Sequence, residues 1–291
     1  MIPRAVLVER PTEYSELLGR HGTREHARFF LHARDRTLED VEGRHRALAA
    51  ARATVLAAIP ADWRRATVSR PELDRFLFEP DDVVVVLGQD GLVANVAKYL
   101  AGQPVIGLNL EPGVLVPHLP AAAGDLLADV AAGRAALQHR TMAAARLDDG
   151  QELVALNEVF VGHASHQSAR YTLALGEQAE RQSSSGLIVT TGTGATGWAA
   201  GIHRERHSSL PLPSPEDDRL AFFVREPWPS AWTGTSLDEG ELGAGGLLSV
   251  QSEMNDGGVV FGDGIEGDRL ELDWGRRVEV GVATAKLQLV S

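Results

Sequence analysis

With 291 residues and 44% hydrophobic content the chain can bury roughly two proper domain cores, and its net charge of −12 excludes a general nucleic-acid binder, because phosphate backbones select basic faces. The absence of cysteine excludes disulfides, thiolate metal sites and cysteine nucleophiles, which leaves oxygen or imidazole to hold any metal. No apolar run approaches the ~20 residues that a membrane span needs, and Met1-Ile2-Pro3-Arg4-Ala5-Val6 lacks the apolar stretch of a secretory signal, so a cytoplasmic location is expected.

Ala5 to Glu9 predicts a first short strand, and Thr37-Leu38-Glu39-Asp40 opens a long helix through about Ile59, with Thr37 as its N-cap. The arginine-rich segment 1–60 is expected to flank a sheet. Arg65 to Ser69 reads as a strand, as does Val83 to Leu87, a β-branched and aliphatic run of the kind buried on both faces of a parallel sheet. Leu92 to Leu100 has helical spacing and Pro104 to Asn109 is the next strand. Strands alternating with helices predict an open parallel sheet for the first ~130 residues.

The turn Gly88-Gln89-Asp90-Gly91 therefore joins a strand to a helix at the carboxyl edge of that sheet, where ligands bind and glycines let the backbone approach phosphates. On these residues alone, a tight turn with Asp90 capping the helix explains the pattern as well as a ligand contact does.

Beyond about Gln138 short alternating segments such as Tyr171–Leu175 and Leu270–Trp274 replace the long helices, and the chain becomes mainly β. Asp148-Asp149-Gly150, Asn255-Asp256-Gly257 and Gly262-Asp263-Gly264 read as hairpin turns. One helix is expected from about Thr196 to Arg206. Ser208 to Asp218, with three prolines, reads as an exposed or flexible connection.

Asn157-Glu158 sets two polar residues at the entrance of a hydrophobic strand, either as a solvated strand end or as hydrogen-bonding partners for a ligand's base and ribose. The segment from Ser185 to Trp198 contains G-x-G-x-x-G after a strand and before a helix, with Glu216, Asp217 and Asp218 about 20 residues on. Those acidic residues fall in a proline-rich loop, so a dinucleotide-fold reading is not expected. The loop could still hold an adenine nucleotide through threonine hydroxyls, bare glycine backbone and an indole. No P-loop and no nucleophile elbow occur. His163 and His166 are not spaced to converge on a metal in a β context, and no metal site is expected. Arg225-Glu226-Pro227-Trp228 is expected to end a strand and serve the fold.

Taken in order, these pieces resemble the NAD kinase family. Its Gly-Gly-Asp-Gly signature falls on Gly88-Gln89-Asp90-Gly91, its Pro-to-Asn strand on Pro104 to Asn109, and its Asn-Glu motif on Asn157-Glu158. Its Thr-Pro-Thr-Gly-Ser-Thr-Ala-Tyr loop is similar to Thr191-Gly192-Thr193-Gly194-Ala195-Thr196-Gly197-Trp198. The Thr-Gly-Thr-Gly form, the preceding Ser-Ser-Gly and Val224 to Pro227 look most like the mitochondrial-type branch. The resemblance covers about residues 83–290.

The resemblance implies an N-terminal open parallel α/β (Rossmann-like) nucleotide-binding domain over 1–135 and a β-rich, sandwich-like NAD-binding domain over 136–291, with the last ~20 residues packing back on the first. It implies a site in the crevice between them and transfer of a phosphoryl group from ATP, with its Mg2+, to the 2′-hydroxyl of the adenosine ribose of NAD(H). Asp90 would take or orient the hydroxyl proton. Gly88, Gln89 and Gly91 would lie against phosphates. Asn157 and Glu158 would hold the adenosine, and Ser185, Thr191, Thr193, Thr196, Gly197 and Trp198 would complete the nucleotide site. A homodimer without nucleic-acid or membrane partners is expected.

The chain departs from the family pattern at Gln89, which puts a side chain where bare backbone is expected, and at Leu92, which replaces a threonine hydroxyl. Ser185 stands for an aspartate and Ala195 for a serine. These departures keep two alternatives in view: a catalytically weak NAD(H)- or NADP(H)-binding sensor or regulator, and a lipid or sugar kinase of the diacylglycerol kinase kind.

Overall fold

The computed structural model describes residues 2–291, which divide into two compact units: residues up to Leu137 together with Gln288–Ser291, and Gln138–Leu287. In the first unit the chain runs through β1 (Arg4–Glu9), α1 (Glu13–His21), α2 (Arg24–His32), α3 (Leu38–Ala58), β2 (Arg64–Ser69), β3 (Asp82–Leu87), α4 (Asp90–Ala97), β4 (Pro104–Leu108) and α5 (Ala123–Ala131), and β5 (Leu137–Arg140) carries it into the second. β1, β2, β3 and β4 pair in parallel, and the last strand, β18 (Leu287–Val290), adds in parallel to β4. The six-stranded order is β2-β1-β3-β4-β18-β5.

Every residue of β3 is buried, as its unbroken apolar run requires. Val83, Val85 and Leu87 share one core with Ala51 and Val55 of α3 and Leu127 of α5. The helix expected from Thr37 is α3, and Thr37 accepts the backbone N–H of Asp40 as its cap.

Sequence reasoning missed α1 and α2. They pack with the start of α3 in a separate small core of Leu17, Ala27, Leu31, Leu38 and Val41. Ion pairs surround it, Arg24 with Glu42 at 2.5 Å and Arg36 with Glu13 at 2.6 Å, which accounts for the arginine-rich composition.

The second unit comprises β6 (Ala143–Leu147), β7 (Glu152–Ala155), β8 (Glu158–His163), β9 (Ala169–Leu175), β10 (Gln178–Ser184), β11 (Leu187–Thr190), α6 (Trp198–Glu205), β12 (Arg219–Val224), β13 (Glu239–Gly243), β14 (Leu247–Ser252), β15 (Gly258–Gly262), β16 (Leu270–Glu271) and β17 (Arg277–Val282). They form two six-stranded antiparallel sheets, β10-β9-β14-β17-β6-β7 and β13-β12-β11-β8-β15-β16. Inward residues of both, among them Tyr171, Leu173 and Val250 from one and Val161, Val189 and Phe222 from the other, make a single core.

Three turn and loop expectations are corrected. Asn255-Asp256-Gly257 is no hairpin: it carries the chain from β14 in one sheet to β15 in the other. Leu270–Trp274 is strand only at Leu270–Glu271. Segment 208–218 is not a loose connection, because Leu210 and Leu212 pack against the core beneath α6 and Pro213 is buried.

The loop after β4 determines what the carboxyl edge of the first sheet presents. A Cβ on Gly107 would stand 2.3 Å from the Leu115 carbonyl oxygen and 2.9 Å from the Val116 Cα, so only glycine lets residues 115–116 lie against β4. Gly107→Ala is expected to destabilise the protein by about 1–3 kcal/mol, the usual cost of forcing atoms into a packed site. An unchanged urea midpoint in equilibrium unfolding would contradict this close packing.

Candidate functional site

In the first unit the strand order reverses between β1 and β3, and crevices for ligands in open parallel sheets lie beyond the carboxyl ends of the strands at such a reversal. Gly88 to Asp90 follow β3 at that edge. Gln89 is the N-cap residue of α4 without a side-chain cap, and Asp90 is the first helical residue, so Asp90 does not cap the helix. Its carboxylate instead reaches the loop after β4. Oδ2 accepts the N–H of Val114 at 2.9 Å, and Oδ1 those of Leu115 and Val116 at 3.0 and 3.1 Å. Three of roughly four acceptor positions are thus engaged, leaving about one for a ligand hydroxyl.

The two departures in this turn have different consequences. Gln89 is exposed, so its side chain points away from the packed turn. Leu92 is buried and takes the space over Gly88, where a Cβ would meet its Cδ2 at 3.0 Å. Gly91 is exposed, with nothing within 4 Å of a Cβ placed there, and it leaves bare backbone at the surface of the turn. Beside this turn a cavity of about 210 Å3 opens at the ends of β1 and β3, with Arg10, His45 and Arg52 among its walls. Sequence reasoning missed these residues, because nothing in their spacing shows that α3 crosses the end of β1.

In the second unit Asn157 immediately precedes β8 and Glu158 begins it. Their backbone is held from two sides. The Asp263 carboxylate accepts the N–H of Leu156 at 3.0 Å and of Asn157 at 2.6 Å. From the other side Thr191 donates its hydroxyl to the Leu156 carbonyl at 2.6 Å and its N–H to the Asn157 carbonyl at 2.9 Å. By contrast, among the described residues neither the Asn157 amide nor the Glu158 carboxyl makes a side-chain hydrogen bond, and both residues are half-buried.

The Thr191–Trp198 loop divides into a structural part and an open part. The Thr191 hydroxyl also accepts from the N–H groups of Thr193 and Gly194, so its capacity is used within the fold. Thr193 is buried and accepts from the Arg140 guanidinium at 3.4 Å. Gly194 lies so close to Asn157 that a Cβ would stand 2.1 Å from its carbonyl oxygen, and a Cβ on Gly192 would stand 2.0 Å from that of Ser214. Thr196, Gly197 and Trp198 are exposed. The strand before this loop, β11, is antiparallel to both its neighbours, which removes any dinucleotide-fold reading of G-x-G-x-x-G.

The Trp198 indole stacks on Phe160 at 5.9 Å with an interplanar angle of 11°, and the Arg225 guanidinium lies 4.9 Å from its ring centre. Arg225 and Arg206 also line a cavity of about 480 Å3 beside α6. Arg225 thus belongs to the surroundings of Trp198 and does more than end a strand. Ser185 precedes β11, so it lies at the opposite end of that strand from Thr191. The structure does not bring it to Asn157 and Glu158. The His163 Nδ1 takes the Ser165 N–H at 3.0 Å, and no group of three or more His, Asp or Glu among the described residues could hold a metal.

Burial pushes the Glu158 carboxyl up to about 7, and the neighbouring Asp263 charge adds to the rise. A half-buried acid near neutrality with no protein partner is a frequent mark of a ligand site.

Each unit thus carries a loop held by an aspartate, and in the second unit the two polar side chains of residues 157 and 158 make no hydrogen bond among the described residues. Comparisons with known proteins show what the chain is similar to. A scan of protein-family models finds no match. The NAD kinase of Methylococcus capsulatus is 37% identical over 142 residues, 46% of this chain and 48% of that protein. That of Psychrobacter arcticus is 34% identical over 127 residues, 40% of this chain and 39% of that protein. The match thus spans half or less of these relatives' length. The crystal structure of yeast NADH kinase complexed with NADH superposes with a TM-score of 0.63, covering all of this chain and 83% of that one, and at 16% identity the likeness is one of fold. The chain is thus similar in sequence to NAD kinases over part of their length and shares the fold of NADH kinase. No helix among the described residues is long and apolar enough to cross a membrane.

The Glu158 shift has a consequence for stability. A carboxyl whose folded value lies above its unfolded one contributes stability that is complete below the unfolded value and is lost as pH rises through about 7. The difference corresponds to about 3 kcal/mol. Glu158→Gln, which mimics the protonated acid, is expected to stabilise the protein at pH 8 by up to about 3 kcal/mol and to change it little at pH 4. Denaturant unfolding at both pH values checks this, and an equal effect at the two would contradict it.

Proposed function

We propose that the protein is an NAD kinase, transferring the γ-phosphoryl group of ATP to the 2′-hydroxyl of the adenosine ribose of NAD or NADH. The observation that carries this reading is the contrast at Asn157-Glu158: a backbone held by Asp263 and Thr191, and two side chains with no protein hydrogen bond. The amide can pair with a base edge and the carboxyl with ribose hydroxyls. The exposed edge of Trp198, with Thr196 and Gly197, suits the adenine ring. The names of the relatives support the same acceptor.

In the transfer, the 2′-oxygen forms a bond to the γ-phosphorus as the bond to ADP breaks, and the hydroxyl proton passes to the Asp90 carboxylate. Asp90 is held in place by the loop after β4 and keeps an acceptor position for that hydroxyl. Gly88, Gly91 and the first turn of α4 offer bare backbone to phosphates, and Arg10 in the adjacent cavity offers positive charge to the donor, Arg52 there being paired with Glu9. Mg2+ would arrive coordinated to ATP, since the described residues assemble no cage of their own. Positioning and charge neutralisation then carry most of the catalysis. The protein in this reading is a cytoplasmic homodimer, and the exposed indoles of Trp228, Trp232 and Trp274 on the β-rich unit suit a subunit contact.

A second reading, an NAD-binding protein with little turnover, is favoured by Leu92, whose apolar side chain occupies the space over Gly88. Incubation with NAD, ATP and Mg2+ separates the two. The wild type is expected to make NADP, and Asp90→Asn to lower turnover by roughly two to four decades while NAD still binds. Saturable NAD binding without any NADP would favour the second reading, and equal turnover in Asp90→Asn would remove Asp90 from the chemistry.

A further inference from the structure

We infer that Asp263 is the positioning residue of the Asn157–Glu158 pair, setting both where the pair stands and how it meets a ligand's hydroxyl groups. The role in ligand binding rests on the nucleotide reading above; the role in placing the pair does not.

Asp263 follows β15 in Gly262-Asp263-Gly264 with a left-handed backbone, φ 53°, a conformation that aspartate tolerates better than most residues. The turn is pressed against β7: a Cβ on Gly262 would stand 2.8 Å from that of Ala155. Gly264, with φ 68°, completes the bend. From there Asp263 meets three consecutive residues. It accepts the N–H groups of Leu156 and Asn157 and donates its own N–H to the Glu158 carbonyl at 3.0 Å. A carboxylate between two N–H donors suits this place, because it accepts on both oxygens at once. An asparagine of the same shape would accept on one and turn an N–H against the other donor.

The second effect is electrostatic. The charged group acting on Glu158 is Asp263. Opposite Glu158 on β11 stands Thr190, and on β15 Gly262 faces Val159; neither brings a titratable group. The 191–197 loop adds threonines and glycines, and Arg140, which reaches it, gives its guanidinium to Thr193 and Gln138. One carboxylate thus fixes the peptide and adds its negative charge to the burial of Glu158, so that Glu158 retains its proton in the neutral range and can donate it in a hydrogen bond to a ligand hydroxyl oxygen. Asp263 does not touch the ligand in this account; it acts through Glu158.

Asp263→Asn in the full-length protein tests the inference. In the ligand-free wild type, slow hydrogen exchange is expected at the Leu156 and Asn157 amides, and the Glu158 carboxyl should titrate near neutrality by carbon-13 NMR. In the variant both amides should exchange faster by about tenfold or more, and the Glu158 midpoint should fall by roughly half a pH unit or more once the neighbouring charge is gone. The KM for NAD should rise about tenfold with kcat within about twofold, the pattern of a lost binding geometry. Fast exchange at both amides in the wild type, a measurement that needs no variant, would overturn the inference, as would an unmoved Glu158 midpoint in a folded variant. Absence of NAD binding by the wild type would remove the nucleotide reading alone.

Discussion

The arrangement depends on the peptide of Asn157, held by its N–H to Asp263 and by its carbonyl to Thr191. Buried backbone groups must find partners, and at the start of a strand they usually find them in a neighbouring strand or in nearby polar side chains. Here both come from residues distant in the chain, which frees the Asn157 and Glu158 side chains from serving the fold. The cost is a carboxyl taken out of water beside another carboxylate, and it appears as the raised Glu158 value. Folding tolerates that cost because the surrounding turn is over-determined by glycine packing at Gly194, Gly192 and Gly262.

The first unit applies the same device. Asp90 fixes the loop after β4 through three N–H groups, and Gly107 lets that loop lie flat on its strand. In each unit an aspartate holds a segment that is distant in sequence, and glycines remove the Cβ atoms that would prevent the close approach. The aspartates differ in what they leave over: Asp90 keeps about one acceptor position for chemistry, whereas Asp263 acts through its neighbour.

Much of this was legible in the residues. The apolar run from Val83 to Leu87 led to a strand buried throughout, Thr37 led to a helix cap, and the order of the Asp90, Asn157 and Thr191 motifs led to the likeness to NAD kinases that sequence comparison also finds over part of the chain. What stayed hidden depends on contacts that local pattern does not carry. α1 and α2 bury few residues each, among many charged ones, so no apolar stripe stood out. Asp263 does lie in the hairpin connection from β15 to β16, but its contacts with Leu156 and Asn157 stayed hidden because these partners lie more than a hundred positions away. The turn at Asn255 to Gly257 had the right composition for a hairpin, but composition does not say which sheet the next strand joins.

The most direct test is a crystal structure of the protein with NAD bound. The account predicts ribose hydroxyls on the Glu158 carboxyl and a base edge at the Asn157 amide, with the hydrogen bonds of Asp263 and Thr191 to residues 156–158 unchanged. NAD bound away from these two side chains, or a pair that becomes available only after that backbone rearranges, would contradict it.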